Sequence, residues 1–565
     1  MKAIARYQTE VIIIGGGATG SGIMRDCALR GIDCILLERD DLASGTTGRN
    51  HGLLHSGARY AVTDPDSAME CIAENRILKS IASHCIEDTG GLFITLPEDG
   101  ISFQDEFVAA CDVAGIETER MTTKEALLFE PNANPAMLGA IKVPDGTIDP
   151  FRLCASNVLD AKERGARLFS HCVVTSLIRE GDRVIGVNAF NTRTNLPFEV
   201  FGQEVINAAG IWGQTICEYA DLSVKMFPAK GSLLILDYRI NNRVINRCRK
   251  PADADILVPG DTISLIGTTS EHIDYDQIDD LRVSADEVDI LLEEGAKLAP
   301  IMSQSRVLRA YAGVRPLVSL SEDTSGRNIS RGIVLVDHAE FDGLHGFTTI
   351  TGGKLMTYRL MAQMATDSVA KKLGNTNPCI THTTPLPGSY STPTPAKKTA
   401  SIAKPVYHSA IDRHGERALA FLSDDQASQS VICECEMVTA GEIEYAVKAL
   451  DVHNLVDLRR RTRVGMGPCQ GEMCSYRAAS LLADYGNFSG YEVGEMLHDF
   501  LEERWKGTKP VLWGDALREA EFSYWIYQGL FGAGDFDFKQ DDVNHSETKL
   551  AADKQATEKE VEAEQ

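Results

Sequence analysis

TEVIIIGGGATGSGIMRDCALRGIDCILLERD, Thr9 to Asp40, decides the fold of this chain. Val11 to Ile14 is a β-branched run suited to a buried parallel strand, and Gly15, Gly17 and Gly20 follow it as G-x-G-x-x-G. An amphipathic helix then runs to about Gly31, and a second strand, Cys34 to Leu37, stops at Glu38. Gly15 permits a tight turn, Gly17 lets backbone amides approach a pyrophosphate at the positive helix end, and Gly20 lets helix pack closely on strand. Glu38 falls where an acid accepts a ribose hydroxyl, which argues against a 2′-phosphate there. The glycines alone are a weak signal. Strand, glycines, helix, strand and acid in order predict an α/β, Rossmann-like dinucleotide-binding part.

The next residues choose the dinucleotide. SGTTGRNHGLLHSGARYAVTD, Ser44 to Asp64, is dense in Gly, Ser and Thr, with His51, His55 and Arg59 spaced through it. A nicotinamide-binding chain more commonly continues its helix-strand alternation here, whereas a loop of small residues suits a chain that wraps an extended FAD. Farther on, TGGKLMTYRLMAQMATDSVAKKLG, Thr351 to Gly374, sets two glycines before an amphipathic helix with Lys354 at its first turn. A cation there opposes the helix dipole unless an anion lies beside it, such as a substrate phosphate or the reduced flavin. Arg59, Arg315, Lys354 and Arg359 thus read as phosphate-directed cations, with structural salt bridges as the competing reading for each.

These segments resemble those of the FAD-dependent glycerol-3-phosphate dehydrogenases, within the D-amino-acid-oxidase-like flavoproteins. HSGARY (His55 to Tyr60), NAAGIWG (Asn207 to Gly213), AGVRPL (Ala312 to Leu317) and TGGKLMTYR (Thr351 to Arg359) carry the resemblance, with VPDGTIDPFRL (Val143 to Leu153) in the expected order. It spans about residues 8 to 375. It implies an FAD-binding Rossmann-like domain interleaved with an α+β substrate domain. It also implies FAD contacts from Gly15, Gly17, Gly20, Glu38, Arg39, Ser44, Thr46, Thr47, His51, His55, Ala209, Gly210, Gly352, Gly353, Lys354 and Leu355. Arg59, Tyr60, Arg315 and Lys354 are implied to meet the phosphate or hydroxyls of glycerol 3-phosphate, with His55, Arg315 and Lys354 as the catalytic set.

One departure leaves the base open. Single-chain relatives carry a Gly-Ser-His element after the strand that here reads KGSLLIL, Lys230 to Leu236, and Leu233 stands at the histidine's place. His55 either takes the substrate hydroxyl proton or only packs on the flavin, and His51 is the second candidate.

Four cysteines stand apart from the other ten: Cys433 and Cys435 as C-x-C, then Cys469 and Cys474. Structural zinc favours C-x2-4-C pairs, whereas C-x-C suits a cluster with two irons, so iron-sulfur leads, with zinc and an empty site as alternatives. Gly465, Gly467, Cys469, Gln470 and Gly471 resemble the GxGxCQG turn of the bacterioferritin-associated ferredoxin-like 2Fe-2S domains. That resemblance implies a small helical iron-sulfur domain at the C-terminus. The basic run LRRRTR, Leu458 to Arg463, could offset cluster charge, dock an acidic partner, or end a helix in solvent.

The expected order is an oxidoreductase part, 1–380; a Pro- and Thr-rich surface linker, 381–405; a cluster domain, 406–482, with its core at 431–482; a helical region, 483–534; and an acidic, disordered tail, 535–565. Aromatics gathered between Asp499 and Gly534 are expected to pack in a core, with a partner-protein or membrane contact as the second reading. The net charge of −25 disfavours nucleic acid. No apolar run is long enough for a signal peptide or membrane span, and fourteen cysteines suit a reducing compartment.

Flavin domain and fused cluster domain together resemble the catalytic subunits of the multisubunit, anaerobic members of this family. The resemblance implies oxidation of glycerol 3-phosphate to dihydroxyacetone phosphate, with electrons leaving through the 2Fe-2S centre. Its implied partners are a second flavin subunit, bringing FMN to the assembled complex, and an iron-sulfur membrane anchor leading to a quinone. The chain would sit on the cytoplasmic side of the inner membrane. Two rivals stand: a dehydrogenase of an amino acid or 2-hydroxy acid with the same cluster, and a non-enzymatic redox or metal-trafficking scaffold.

Overall fold

Alternate residues of the first Rossmann strand feed two separate cores. In the computed structural model, which describes residues 4–318, 332–389, 402–422 and 425–530, Val11 and Ile13 join Met24, Val158, Ala365 and other residues of three covering helices. Ile12 and Ile14 face the opposite layer, with Val174, Val187 and Val200 of an antiparallel sheet. Side chains of a strand alternate between faces, so a strand buried on both reads as the unbroken apolar run seen in the sequence.

The strand order is Arg167–Phe169, Cys34–Leu37, Val11–Ile14, Glu204–Asn207, Phe347–Gly352 and Ile333–Asp337. The last is antiparallel and the rest are parallel. Three chain segments far apart in sequence therefore bring their strand ends to one edge, the place where open α/β sheets bind ligands. Beside it, a larger sheet pairs Met226–Leu236 with Val307–Val318 antiparallel, setting Gly231 opposite Gly313 and Ala229 opposite Arg315. This is the interleaved α/β and α+β arrangement expected.

Leu233 is buried in that sheet against Gly267. The linker expected from 381 is held down at its start. Leu386 is fully buried with its N–H on the Ile81 carbonyl at 2.7 Å, and Arg25 donates to the Thr384 carbonyl at 2.8 Å. Proline-rich composition signalled surface, but three backbone carbonyls and one leucine suffice to anchor such a segment. Residues 390–401 and the acidic tail lie outside the described residues.

The C-terminal module is built of helices Ala440–Ala449, Leu455–Thr462, Ser475–Gly486 and Gly490–Thr508 around Leu458, Leu482 and Phe500, with Cys433 and Cys474 in the same core. Thr439 caps the first, accepting from Glu442 N. The basic run is neither solvated nor turned to a partner. Arg460 and Arg461 each place Nη1 3.1 Å from Asp41 Oδ2, and Arg463 pairs with Glu436, Asp149 and Asp261. Asp41 comes one turn after Glu38, so this run fastens the cluster domain to the flavin part. The aromatic segment divides: Phe500 and Tyr527 are buried, while Trp513, Phe522 and Trp525 are exposed, against the expectation of core packing.

Candidate active site

The strand edge opens into a cavity of about 1000 Å³. Gly15 and Gly17 line it without side chains; a Cβ at Gly15, where φ is +105°, would meet the Ala208 carbonyl oxygen at 2.7 Å. Gly20 does not line it. A Cβ there would meet the Gly15 carbonyl oxygen at 1.8 Å, so Gly20 holds the turn closed from one layer back.

Glu38 lines the cavity and braces its own loop, accepting from Gly16 N at 2.5 Å and Asp40 N at 2.8 Å. Burial pushes its carboxyl up to about 6, against the pull of those two amides. Arg39 stacks over Trp212 at 4.7 Å and pairs with Asp279. Thr47 Oγ1 accepts from Ala18 N at 3.0 Å, tying the loop to the helix start, and Thr46 donates to the Val314 carbonyl at 2.7 Å. Ser44, Ala209, Gly210, Gly352, Gly353 and Leu355 complete this wall.

At the other end His51, His55, Tyr60 and Lys354 form a row. The rings of His51 and His55 lie 5.9 Å apart, those of His55 and Tyr60 5.4 Å apart, and Lys354 Nζ sits 4.7 Å over the Tyr60 ring. His51 Nδ1 accepts from Leu53 N at 3.2 Å, which puts its proton on Nε2. Burial, with Arg315 and Arg59 nearby, holds its pKa down at about 3, so the ring is neutral and a donor at physiological pH.

Arg315 donates to Thr268 Oγ1 and, at 3.0 Å, to the Thr269 carbonyl. Gly231 makes room for it: a Cβ there would lie 2.5 Å from Arg315 Nη2. Arg59 pairs with buried Asp255 at 3.3 Å, and its Nη1 is a buried donor without an acceptor. Arg359 is a correction. It grips Glu74 through two bonds of 2.8 and 2.5 Å and does not line the cavity. Asp253, among Arg59 and Arg315, lies in the wall unannounced by any motif; burial pushes its carboxyl up.

An elongated ligand fits this cavity. Bare glycines and a helix start stand at one end, Thr351 Oγ1 and Arg59 Nη1 are buried polar atoms without partners, and cations crowd the other end.

In the second module all four cysteines are free thiols joined in one chain of contacts: Cys474 with Cys433 and Cys469, and Cys469 with Cys435. The Cys474 thiol holds Cys469 down at about 5 despite burial, and burial pushes Cys435 up to about 12. Gly467 lets the two loops touch, since a Cβ there would lie 2.4 Å from Cys435 Cβ. Among the described residues no three His, Cys, Asp or Glu side chains gather on one point as a single metal ion requires. A two-iron cluster asks for only two thiolates per iron, and a chained quartet fits it.

Residues 10–359 match the FAD dependent oxidoreductase family and residues 431–484 the BFD-like 2Fe-2S binding domain. A solved glycerol-3-phosphate dehydrogenase from Bacillus halodurans, complexed with FAD, shares the fold with a TM-score of 0.68 at 23% identity, over 90% of this chain and 96% of that one. An anaerobic glycerol-3-phosphate dehydrogenase subunit from Escherichia coli K12 is 62% identical over 94% of this chain and 98% of its own length.

The chain belongs to this family of anaerobic glycerol-3-phosphate dehydrogenase subunits.

Another member of the family, from Haemophilus influenzae, is 59% identical over 94% of the chain and 95% of its own length; one from Haloferax volcanii is 40% identical over 92% and 90%. The chain is thus an FAD-dependent enzyme of this family with a 2Fe-2S domain. The zinc and non-enzymatic readings fall away. As its relatives' names say, it is one subunit of a larger enzyme. Among the described residues no helix is long and apolar enough to cross a membrane.

Proposed function

We propose that this chain oxidises sn-glycerol 3-phosphate to dihydroxyacetone phosphate and passes the electrons, through its 2Fe-2S centre and partner subunits, to a membrane quinone. The convergence of Arg59, Arg315 and Lys354 on the cavity that also holds the dinucleotide loop carries this reading. A 2-hydroxy acid or amino acid would leave much of that charge unused.

Bound FAD supplies the hydride acceptor. The protein's part is to bind, orient and take up a proton. Arg59 and Arg315 suit a phosphate through planar forks, and Lys354 adds a point charge. His51 donates from Nε2 to an oxygen at its end of the cavity, and His55 receives the proton of the C2 hydroxyl. Asp253 balances the two guanidiniums before substrate arrives. Partners are a second flavin subunit, with FMN in the complex, and an iron-sulfur membrane anchor, holding the chain peripherally on the cytoplasmic side of the inner membrane.

The test is an anaerobic absorption spectrum before and after substrate. Glycerol 3-phosphate is expected to bleach the flavin bands stoichiometrically, and lactate or alanine to leave them intact. Bleaching by the latter alone would move the enzyme to the rival substrate class.

Gly231→Ala is the finer probe of the cation cluster. Its methyl displaces the Arg315 guanidinium while the strand pairing survives, so KM for glycerol 3-phosphate is expected to rise about tenfold, roughly 1.4 kcal/mol, with FAD content unchanged. An unaltered KM would separate Arg315 from the phosphate.

A further inference from the structure

Between the flavin part and the cluster domain lies a second cavity, of about 680 Å³. Ser44, Arg49, Asn50 and His51 line both cavities, so one loop is the wall between them. The cations of the second cavity divide into two groups. Arg152 and Arg463 are matched by Asp149 and Asp261, and Arg460 by Asp41. Arg49, Arg309 and Arg459 form no ion pair among the described residues. Arg309 is only 7% exposed, and its Nε, like that of Arg459, is a buried donor without an acceptor. Arg49 uses its Nε on the Ser44 carbonyl at 3.1 Å.

Burial pushes all three guanidiniums down, and neighbouring arginines add to it; Glu503, an exposed residue, is the carboxylate that acts on each. A chain with net charge −25 has carboxylates to spare. Leaving three buried guanidiniums unmatched is a costly arrangement unless an anion completes it. The iron-sulfur quartet is not that anion, since the guanidinium acting on its thiols is that of Arg477. Opposite the arginines the wall is apolar, with Phe151, Ile235 and Ile263. The volume is many times that of a phosphate ion and within the range of organic-ligand pockets.

We propose that this cavity binds a second, phosphate-bearing organic ligand of mononucleotide size, its phosphate at Arg49, Arg309 and Arg459 and its planar ring against the apolar side. The site is independent of which alcohol the first cavity oxidises. Occupied, it sets a ligand directly between the flavin loop and the cluster domain.

The test uses the full chain, saturated with FAD and with its cluster reconstituted, in anaerobic equilibrium dialysis against FMN, AMP and inorganic phosphate. One mononucleotide is expected to bind at one per chain and at least tenfold more tightly than phosphate. FMN above AMP identifies a flavin ligand; AMP above FMN identifies an adenylate. Arg309→Gln and Arg459→Gln are each expected to weaken binding at least tenfold with FAD content and substrate bleaching unchanged, while Arg309→Lys, which keeps the charge, stays within a few-fold of the parent. The proposal is overturned by no mononucleotide binding, by phosphate binding as tightly as either, or by binding that survives Arg309→Gln with Arg459→Gln.

Discussion

Arg315→Leu is expected to lower kcat/KM for glycerol 3-phosphate by about a hundredfold to a thousandfold, the largest effect of any single change in the first cavity. A charge-assisted hydrogen bond contributes about 1.5–3 kcal/mol, and a guanidinium meeting a phosphate commonly makes two. Each 1.36 kcal/mol is about tenfold in rate. Its orientation is set by the chain, through Thr268 Oγ1 and the Thr269 carbonyl, so little is lost in ordering it when substrate arrives. Loss in KM alone would mean the contact is made equally in ground and transition states; loss in kcat would place it at the reacting end. The discrimination between glycerol 3-phosphate and glycerol should narrow in the same variant. FAD content and reduction by dithionite should stay at parent levels, and a variant with normal turnover would end the phosphate assignment.

Asp41→Ala is expected to cost about 3–5 kcal/mol of stability at the junction of the two domains, because it strands Arg461 in the interior. Asp41 is 1% exposed and receives both Arg460 and Arg461. Burial raises a carboxyl, yet these two guanidiniums hold Asp41 below the usual carboxylate range. The stability this pair contributes is therefore present above the unfolded carboxyl pKa and lost as pH falls through the lower, folded value. Urea unfolding should show the cluster domain releasing first in the variant, with far earlier proteolysis near Arg461. Asp41→Leu combined with Arg461→Met should recover most of the loss, since a buried pair is often replaceable by apolar residues together though not singly. If the single variant unfolds like the parent, the junction rests on other contacts.

The fold was legible wherever the signal was local. Val11 to Gly31 states its strand, turn and helix in adjacent residues, and the C-x-C pair with the GxGxCQG turn states its chemistry in the same way. Candidate residues from five separate segments, Gly15 to Leu355, line one cavity, and only Gly20 stands back from it. What sequence concealed was pairing at long range. Arg359 looked like a substrate cation because it follows Lys354 in a matching motif; its actual partner, Glu74, is 285 residues away. The basic run looked like a surface feature because charge near a helix end usually is, and Asp41 carries no motif of its own. Asp253 lies in a stretch, Pro251 to Asp255, with nothing periodic or motif-like to mark it. The exposed Trp513, Phe522 and Trp525 show the reverse error: aromatic density announced burial that the described residues do not provide.

The turn from Glu38 to Asp41 faces two ways. Its first residue braces the glycine loop through Gly16 N, and its last secures the cluster domain through Arg461. Cofactor loading and domain attachment are consequently one thermodynamic linkage, and by reciprocity each strengthens the other to the same degree. Chain made in cells starved of riboflavin should therefore fray first at the cluster domain, detectable as faster amide exchange across Leu455–Thr462. Insertion of the flavin would then act as a checkpoint in assembly, because only a loaded chain would present its electron exit as a fixed surface.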